Sequence, residues 1–450
     1  MALFNYECDE VKHIIDEVSP NYPQLTTYEK EWLYFHKYGY IPGIPVELEY
    51  ETINVNPTGI VSNAIPFPYK TAILKGNTKY RDIDTGDILD TFDETKNLEL
   101  VSVQMPVLTT TGKNLFNYSV DNVYTNSSNS NYTPVLNEDG SITINSCYDE
   151  PYWLRKGFYV EKGKQYTVTV TAMKNENEYS ALSFGFDNLN YFDGGVGKVL
   201  IVSDIGGNCI NTIGTYGTQK IICTALETGY ITRFYIHSPG LTTRYTILEF
   251  QIEEGSTATS YEPFKSNILT VNEAVELRGF GNVKDELNLL TGELTERIGE
   301  VVLDGSEDET WIFWNSNVAD VTGFYLDNQI HDTFALHQLV LCERLPSIQV
   351  GITDFNAENI FISSSKRINL NISNTKATSV NELRNYLSQN PLTVQYLLAT
   401  ESIKTVGLTP LNKPYEGTNH YHITSDIPCE AILEVPVVST GKQTLKDINN

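Results

Sequence analysis

The chain has 450 residues, which suffices for two to four domains, and its hydrophobic (40%) and charged (20%) fractions are ordinary for globular proteins. Its formal net charge of −26 excludes nucleic acid and anionic membranes as expected partners, because both require clustered Lys and Arg. Frequent Tyr, Thr, Ile and Val favour strands over helices. The composition therefore predicts a mainly β protein.

The cysteines and the N-terminal residues indicate in which cellular compartment the protein is made. The 6 cysteines show no CxxC pair, so we expect neither a zinc site nor a disulfide scaffold, but buried thiols. The start MALFNYECDE lacks the basic and apolar regions of a signal peptide, and no run of about 18 apolar residues follows it. We expect synthesis and assembly in a cytoplasm.

Residues 1–60 differ from the rest and are predicted to form a short helical segment. Apolar residues recur at helical spacing in DEVKHIIDEV, and TTYEKEWLYFHKYG predicts a second helix ending at Gly39. The second helix is rich in aromatic residues, which are candidates for docking to a larger assembly: Trp32, Tyr34, Phe35 and Tyr38. The alternative is a small cap on the next domain.

Beyond residue 60 the pattern changes to strands. Residues 61–112 predict a hairpin and linking region, in which Asp84-Thr85-Gly86 forms the turn, followed by one strand at 98–108. Residues 113–265 contain seven or eight short alternating segments and predict a jelly-roll sandwich. Within it, the alternation at 165–172 predicts a half-buried strand.

Residues 266–450 predict a second β-sandwich. Leu289–Leu294 repeats the Thr-Gly turn seen at Ile83–Ile88, which predicts another hairpin. One short helix interrupts the strands: Ser379 and Glu382 have capping-box spacing, and Asn390 precedes a proline that ends the helix. The predicted fold class is thus mainly β, with tandem β-sandwich or jelly-roll domains behind a helical N-terminal segment.

No catalytic motif is present, since GxSxG, HExxH, P-loop and GxGxxG patterns are absent, so we expect a protein that is not an enzyme. His420 and His422 are two apart and face one side of a predicted strand. They could hold a metal, but without a third ligand a polar strand face is the better interpretation. The acidic stretch 303–311 is interpreted as a solvated loop. Calcium is conceivable without a motif to support it, and no metal site or cofactor is predicted.

Two aromatic loops are candidate carbohydrate-binding sites. Flat aromatic faces beside carboxylates suit sugar rings, because CH groups stack on the ring while hydroxyl groups bond to the polar neighbours. The candidates from CYDEPYWLRKG and NYFDGG are Tyr148, Tyr152, Trp153, Tyr191, Phe192 and Asp193. The alternative is that these aromatics are core residues. For WIFW at 311–314 we favour the core.

The strings KNLFN (113–117) and LEFQIEEGSTATSYEPFKSN (248–267) resemble the two ends of a module repeated in tail and baseplate proteins of phages that infect Gram-positive bacteria. The segment between them resembles a carbohydrate-binding-module-like jelly roll. The stretch 276–305 and LSQNPLTVQYLLAT (387–400) resemble the C-terminal part of the same proteins. The resemblance spans about residues 98–438.

This resemblance implies a location in the virion, several copies of the chain, contact with other virion proteins, and often host attachment. We therefore expect a structural protein of a phage tail, baseplate or tail fibre that takes part in attachment to the host cell wall, with wall glycan as a possible ligand. Two alternatives stay open. One is a purely architectural collar, connector or head appendage without a ligand, and the other is a cell-wall glycan depolymerase.

Overall fold

The computed structural model describes residues 49–119, 123–124, 134–146, 152–154, 158–175, 183–186, 201–203, 214–231, 234–237, 243–272, 274–315, 320–327, 340–347, 357–363, 365–409 and 411–437. Antiparallel strands dominate these residues, and the predicted mainly β fold of tandem sandwiches is confirmed. Both helices predicted within residues 1–60 lie outside them, and the described end of that segment is not helical, since residues 50–55 and 58–60 belong to strands. No helix in the described ranges is long and apolar enough to cross a membrane.

In the described part of the chain before residue 113 there are seven strands. They are β1 (Tyr50–Val55), β2 (Thr58–Ala64), β3 (Thr71–Lys75), β4 (Thr78–Asp82), β5 (Ile88–Leu89), β6 (Leu98–Gln104) and β7 (Val107–Thr111).

The described residues between 113 and 265 form twelve strands. They are β8 (Val123–Tyr124), β9 (Val135–Leu136), β10 (Ile142–Ser146), β11 (Tyr152–Leu154), β12 (Phe158–Val160), β13 (Gln165–Lys174), β14 (Ser183–Phe186), β15 (Ile201–Ser203), β16 (Gly217–Ala225), β17 (Gly229–Ile231), β18 (Phe234–His237) and β19 (Thr243–Glu254).

From residue 266 onward, the residues that the structure describes form fourteen strands and one helix. They are β20 (Ser266–Thr270), β21 (Glu276–Leu277), β22 (Gly279–Phe280), β23 (Val283–Lys284), β24 (Glu286–Asn288), β25 (Glu293–Leu303), β26 (Trp311–Asn315), β27 (Val321–Leu326), β28 (Leu341–Cys342), β29 (Asn359–Ile362), β30 (Ile368–Ser373), α1 (Val380–Gln389), β31 (Leu392–Thr405), β32 (Gly417–Thr424) and β33 (Glu430–Pro436).

The first and last groups of strands belong to the same sheets. A seven-stranded sheet has the order β1-β33-β3-β24-β25-β31-β28, and a four-stranded sheet has the order β2-β32-β7-β20. Strands from residues 50–111 therefore pair with strands after 266, an arrangement that the linear division into a linking region and a second domain did not anticipate. We call these two segments together the body, and residues 113–265 the insert.

The body has two main cores joined by a long ribbon. The first core lies between the seven-stranded sheet and the sheet containing β32, and it includes Leu74, Leu108, Tyr421 and Leu433. The second core packs helix α1 and the β26-β27-β30-β29 sheet against the far ends of β25 and β31. These two strands pair over their lengths with a bulge between Glu296 and Ile298, so one ribbon serves both cores.

The insert has a core drawn from its own residues. Tyr166, Val168, Val170 and Ala172 alternate along β13 and are all buried, as the sequence pattern predicts. The other face of β13 is more covered than a half-buried strand would be, since Thr167 is fully buried and donates its hydroxyl to the carbonyl oxygen of Gly255 (2.7 Å).

Local turn and cap predictions are confirmed. Gly86 (φ 78°) and Gly292 (φ 75°) lie in the two predicted turns, in the left-handed region where a side chain is strained. Ser379 caps α1 by accepting the Glu382 N–H (3.4 Å between N and Oγ), and the helix ends before Asn390.

Two strand predictions are corrected. The single strand expected at 98–108 is two strands, β6 and β7, because the chain breaks at Met105 (φ 39°) before a proline. WIFW is only partly core: Trp311 is 5% exposed, whereas Phe313 is 42% and Trp314 is 38% exposed. The reason is that β26 is the edge strand of its sheet and bulges after Phe313, which breaks the alternation.

Candidate functional site

The chain passes from the body into the insert and back at the two ends of residues 113–265. Side chains at these two ends are hydrogen-bonded to backbone groups of the same two ends, and we call this arrangement the clasp. Asn114, which is 1% exposed, donates from Nδ2 to the carbonyl oxygens of Phe250 (3.0 Å) and Glu262 (3.1 Å). Its Oδ1 accepts the backbone N–H groups of Phe116 (3.2 Å) and Ile252 (3.1 Å). One amide thus ties both ends of the insert together.

The second half of the clasp holds the exit segment against β19. Glu253, which is buried, accepts the backbone N–H (2.9 Å to N) and the hydroxyl (2.6 Å to Oγ1) of Thr259, and also the Nε2 amide of Gln251 (2.8 Å). Gln251 Oε1 accepts the backbone N–H of Glu262 (2.8 Å). The strings KNLFN and QIEEGSTATSYEP therefore have a concrete structural use, which is to close the insert on itself.

A cavity of about 180 Å³ lies where the insert meets the body. The body contributes β2, β7 and β32 to its wall, and the insert contributes β12, the start of β13 and the end of β19. Aromatic side chains line much of it, among them Tyr159 of the insert and Phe264 at its exit. The cavity is the candidate functional site, because concave, largely apolar spaces with a few convergent polar groups are where proteins bind small ligands.

Charged side chains of the insert form one side of this site. Lys164 Nζ lies 3.0 Å from Glu161 Oε1 and 3.3 Å from Glu254 Oε2, so one cation serves two carboxylates. A residue of the body also binds one of these carboxylates, since the Thr58 hydroxyl donates to Glu161 Oε1 at 2.7 Å. The two carboxylates and the lysine leave this side with a net negative charge.

Two histidines of β32 form the opposite side. His422 packs against Tyr159 across the junction, with ring centroids 4.3 Å apart and an interplanar angle of 34°. Burial lowers the pKa of His420 to about 4, and nearby Lys164 acts in the same direction. Burial also lowers the pKa of His422 to about 4. Both imidazoles are therefore neutral at pH 7, and each carries one donor and one acceptor nitrogen.

The imidazoles and carboxylates of the site are not arranged as a set of metal ligands. Within the described ranges no group of three or more His, Cys, Asp or Glu side chains is placed to hold an ion. His420 and His422 do face one side of their strand, as the spacing indicates, but that side abuts the insert. The sequence missed Thr58, Glu161 and Glu254 as their neighbours, because only folding brings the three segments together.

The candidates from sequence are placed only in part. Tyr148, Tyr191, Phe192 and Asp193 lie outside the described residues, as do the docking candidates Trp32, Tyr34, Phe35 and Tyr38.

Tyr152 and Trp153 lie in β11, and here the backbone register adds information. Trp153 is directly opposite Tyr124 of β8 on one side and Tyr235 of β18 on the other, and Gly185 of β14 is the next position in that row. Directly opposed residues of antiparallel strands occupy the same face of a sheet. Three aromatic positions therefore lie in one row, which the sequence alone did not reveal.

The acidic stretch 303–311 is not the fully solvated loop that was expected. Glu309 is only 6% exposed and accepts the backbone N–H groups of Asp304 (2.7 Å) and Gly305 (2.9 Å), together with the indole N–H of Trp311 (2.6 Å). Its carboxylate is occupied by these donors and organises the loop, so it is a structural group.

The fold and this site define a β-sandwich protein that carries a second sandwich as an insertion, with a largely apolar cavity at the junction. No family model and no curated protein matches the chain. Among solved structures it is similar to the tripod (BppUct-A-L) from the baseplate of bacteriophage Tuc2009, with 14% identity and a TM-score of 0.22, covering 58% of this chain and 91% of that one. A structure of infectious bursal disease virus Gx strain gives 8% identity and a TM-score of 0.13, with 90% of each chain covered. At these scores neither similarity establishes a shared fold.

Proposed function

We propose that this chain is a structural protein of a phage particle, in the tail, baseplate or tail fibre, and that it displays the insert toward the host. The observation that carries the proposal is the clasp. The strings that resemble the ends of a recurring phage tail module are the ones whose side chains, led by Asn114 and Glu253, close the insert. Such a closed unit can be carried on different bodies, as display of a recognition module requires.

We propose further that the insert contacts cell-wall glycan and performs no catalysis. The row of positions Tyr124, Trp153 and Tyr235 supports this, because aromatic residues are the usual partners of sugar rings. The net charge of −26 opposes binding to anionic wall polymers, so the expected ligand is a neutral glycan. Copies of the same chain and other virion proteins are its proposed partners in the particle.

The particle assignment is tested on virions from the source of this gene. Antibodies raised against the full chain should label the tails of gradient-purified particles in electron microscopy, and mass spectrometry should find the chain there in several copies. Labelling at the collar or head would favour the architectural alternative. Absence of the chain from purified particles would contradict the proposal.

The attachment role is tested by sedimentation of the full chain with cell walls from a panel of Gram-positive bacteria. Trp153→Ala should lower binding about tenfold or more, while Phe313→Ala, which removes an exposed aromatic of the body, should leave it unchanged. Equal binding by both variants would refute the assignment of the ligand site to the insert. Release of reducing sugar from the walls would instead indicate a depolymerase.

A further inference from the structure

We propose that the cavity between insert and body is a binding site for one neutral sugar ring, separate from the row at Trp153. The site consists of Thr58, Tyr159, Glu161, Glu254, His420 and His422. This goes beyond the proposed attachment role and does not depend on it, since the argument uses only the chemistry of the cavity walls.

The first step is the imidazole of His420. It lines the cavity on β32, close enough to Glu161 and Lys164 for their charges to act on it. A neutral imidazole needs an acceptor at one nitrogen and a donor at the other, and a hydroxyl group can serve as either.

The second step is the carboxylates on the opposite side. Glu161 accepts from Thr58 and Lys164, and Glu254 accepts from Lys164. A carboxylate has about four acceptor positions, so both retain capacity toward the cavity. They favour a ligand that donates hydrogen bonds and repel an anion. A further cation would compete with Lys164, which already neutralises one of the two charges. A neutral polyhydroxyl compound is the ligand class that meets these conditions.

The third step is the shape of the space. Tyr159, packed against His422, and Phe264 give the cavity aromatic walls, and the CH faces of a sugar ring pack on such surfaces. A volume of about 180 Å³ is large enough to admit one sugar ring. The expected ligand is therefore a monosaccharide or the terminal unit of a neutral glycan.

The test measures binding to the full chain by NMR with labelled histidine. Glucose, galactose, N-acetylglucosamine and rhamnose are titrated, with sodium phosphate as the anionic comparison. At least one sugar should shift the imidazole resonance of His420, which is assigned by its loss in His420→Phe, and phosphate should not. If no sugar shifts it, or if phosphate and the sugars act alike, the proposal is wrong and the cavity holds only water.

Three variants connect the signal to the site. His420→Phe fills the cavity and should abolish binding, and Thr58→Val should weaken it about tenfold through loss of one polar group and disturbance of Glu161. Phe313→Ala is the matched control and should bind as the parent does. If His420→Phe misfolds, Glu161→Gln keeps the shape and should weaken binding similarly. Unchanged binding in Thr58→Val and Glu161→Gln would overturn the assignment.

The result is separable from that of the proposed attachment role. Trp153→Ala should leave the His420 shift intact while it lowers wall sedimentation. Wall binding without any shift at His420 would refute the cavity site alone, and a shift without wall binding would refute attachment alone.

Discussion

The insert and the body solve the same problem, closing a β-sandwich, in opposite ways. The insert is continuous in sequence, draws its core from within itself, and ties its two ends together through Asn114. The body takes its first core from two segments separated by about the whole length of the insert. Short sequence motifs can mark the two ends of a continuous domain such as the insert. A discontinuous domain such as the body becomes apparent only when strands distant in sequence pair. Four predictions separate the two units, from the largest expected effect to the smallest.

The body should depend strongly on Asp285. This side chain is fully buried, and its carboxylate accepts the backbone N–H groups of Arg278 (3.0 Å), Arg297 (2.6 Å) and Ile298 (3.1 Å). Desolvation raises its pKa, although these three donors favour the anion. Asp285→Ala leaves three donors without a partner and should cost about 3 kcal/mol or more.

Hydrogen exchange read by mass spectrometry should show faster exchange in body peptides and little change in peptides from the insert. Asp285→Asn, which keeps one acceptor oxygen, should lie between the parent and the alanine variant. The exposed Glu138→Ala is the control for a lost surface carboxylate. Equal acceleration in both units would mean that insert and body unfold as one.

Asn114→Ala should have the opposite pattern to Asp285→Ala, destabilising the insert and not the body. It leaves two carbonyl oxygens and two N–H groups of the clasp without a partner, and should destabilise the insert by about 2–3 kcal/mol. Exchange should rise in peptides from 113–265 and stay near the parent values in β25 and β31. If body peptides respond as strongly, the clasp is part of a common folding unit.

The junction should be sensitive to acid. The folded pKa of about 4 for His420 and for His422 is below the ordinary 6.5, so the unfolded chain binds more protons between these values. The stability that the neutral imidazoles contribute is complete above about pH 6.5 and is lost as the pH falls toward 4. Lys164 adds to the lowering of the His420 pKa, whereas Glu161 acts on both rings in the opposite direction.

The measurement is the urea midpoint at several values between pH 7.5 and 4. A His420→Gln/His422→Gln variant should lose less stability than the parent over this range, because its junction takes up no protons. Parallel curves for the two proteins would show that other groups govern the acid response.

Helix α1 gives the smallest expected effect. Ser379→Ala removes the acceptor for the Glu382 N–H and should cost about 1 kcal/mol, confined to the second core of the body. Ser388→Ala, on the exposed side of the same helix, is the matched control. A thermal shift no larger than that of the control would show that Glu382, which accepts from Thr378, suffices to hold this end.

The sequence by itself determined the local features. Period-two alternation identified β13, glycines at 86 and 292 identified two turns, and Ser379 with Asn390 bounded α1. Each of these features is caused by residues a few positions apart, so it can be predicted from the amino-acid sequence. The described cysteines Cys223, Cys342 and Cys429 are buried free thiols, as the absence of metal or disulfide spacing led us to expect.

Only the tertiary structure decided which strands meet. β33 pairs with both β1 and β3 across more than 350 residues of chain, and His422 meets Tyr159 of a different sandwich. Trp314 is exposed because its strand is an edge, which an apolar string cannot reveal. Alternation fixes which face of a strand is apolar but not which strand lies beside it. The junction cavity arises from the pairing of distant strands, so the sequence singled out His420 and His422 but not the site that they help to form.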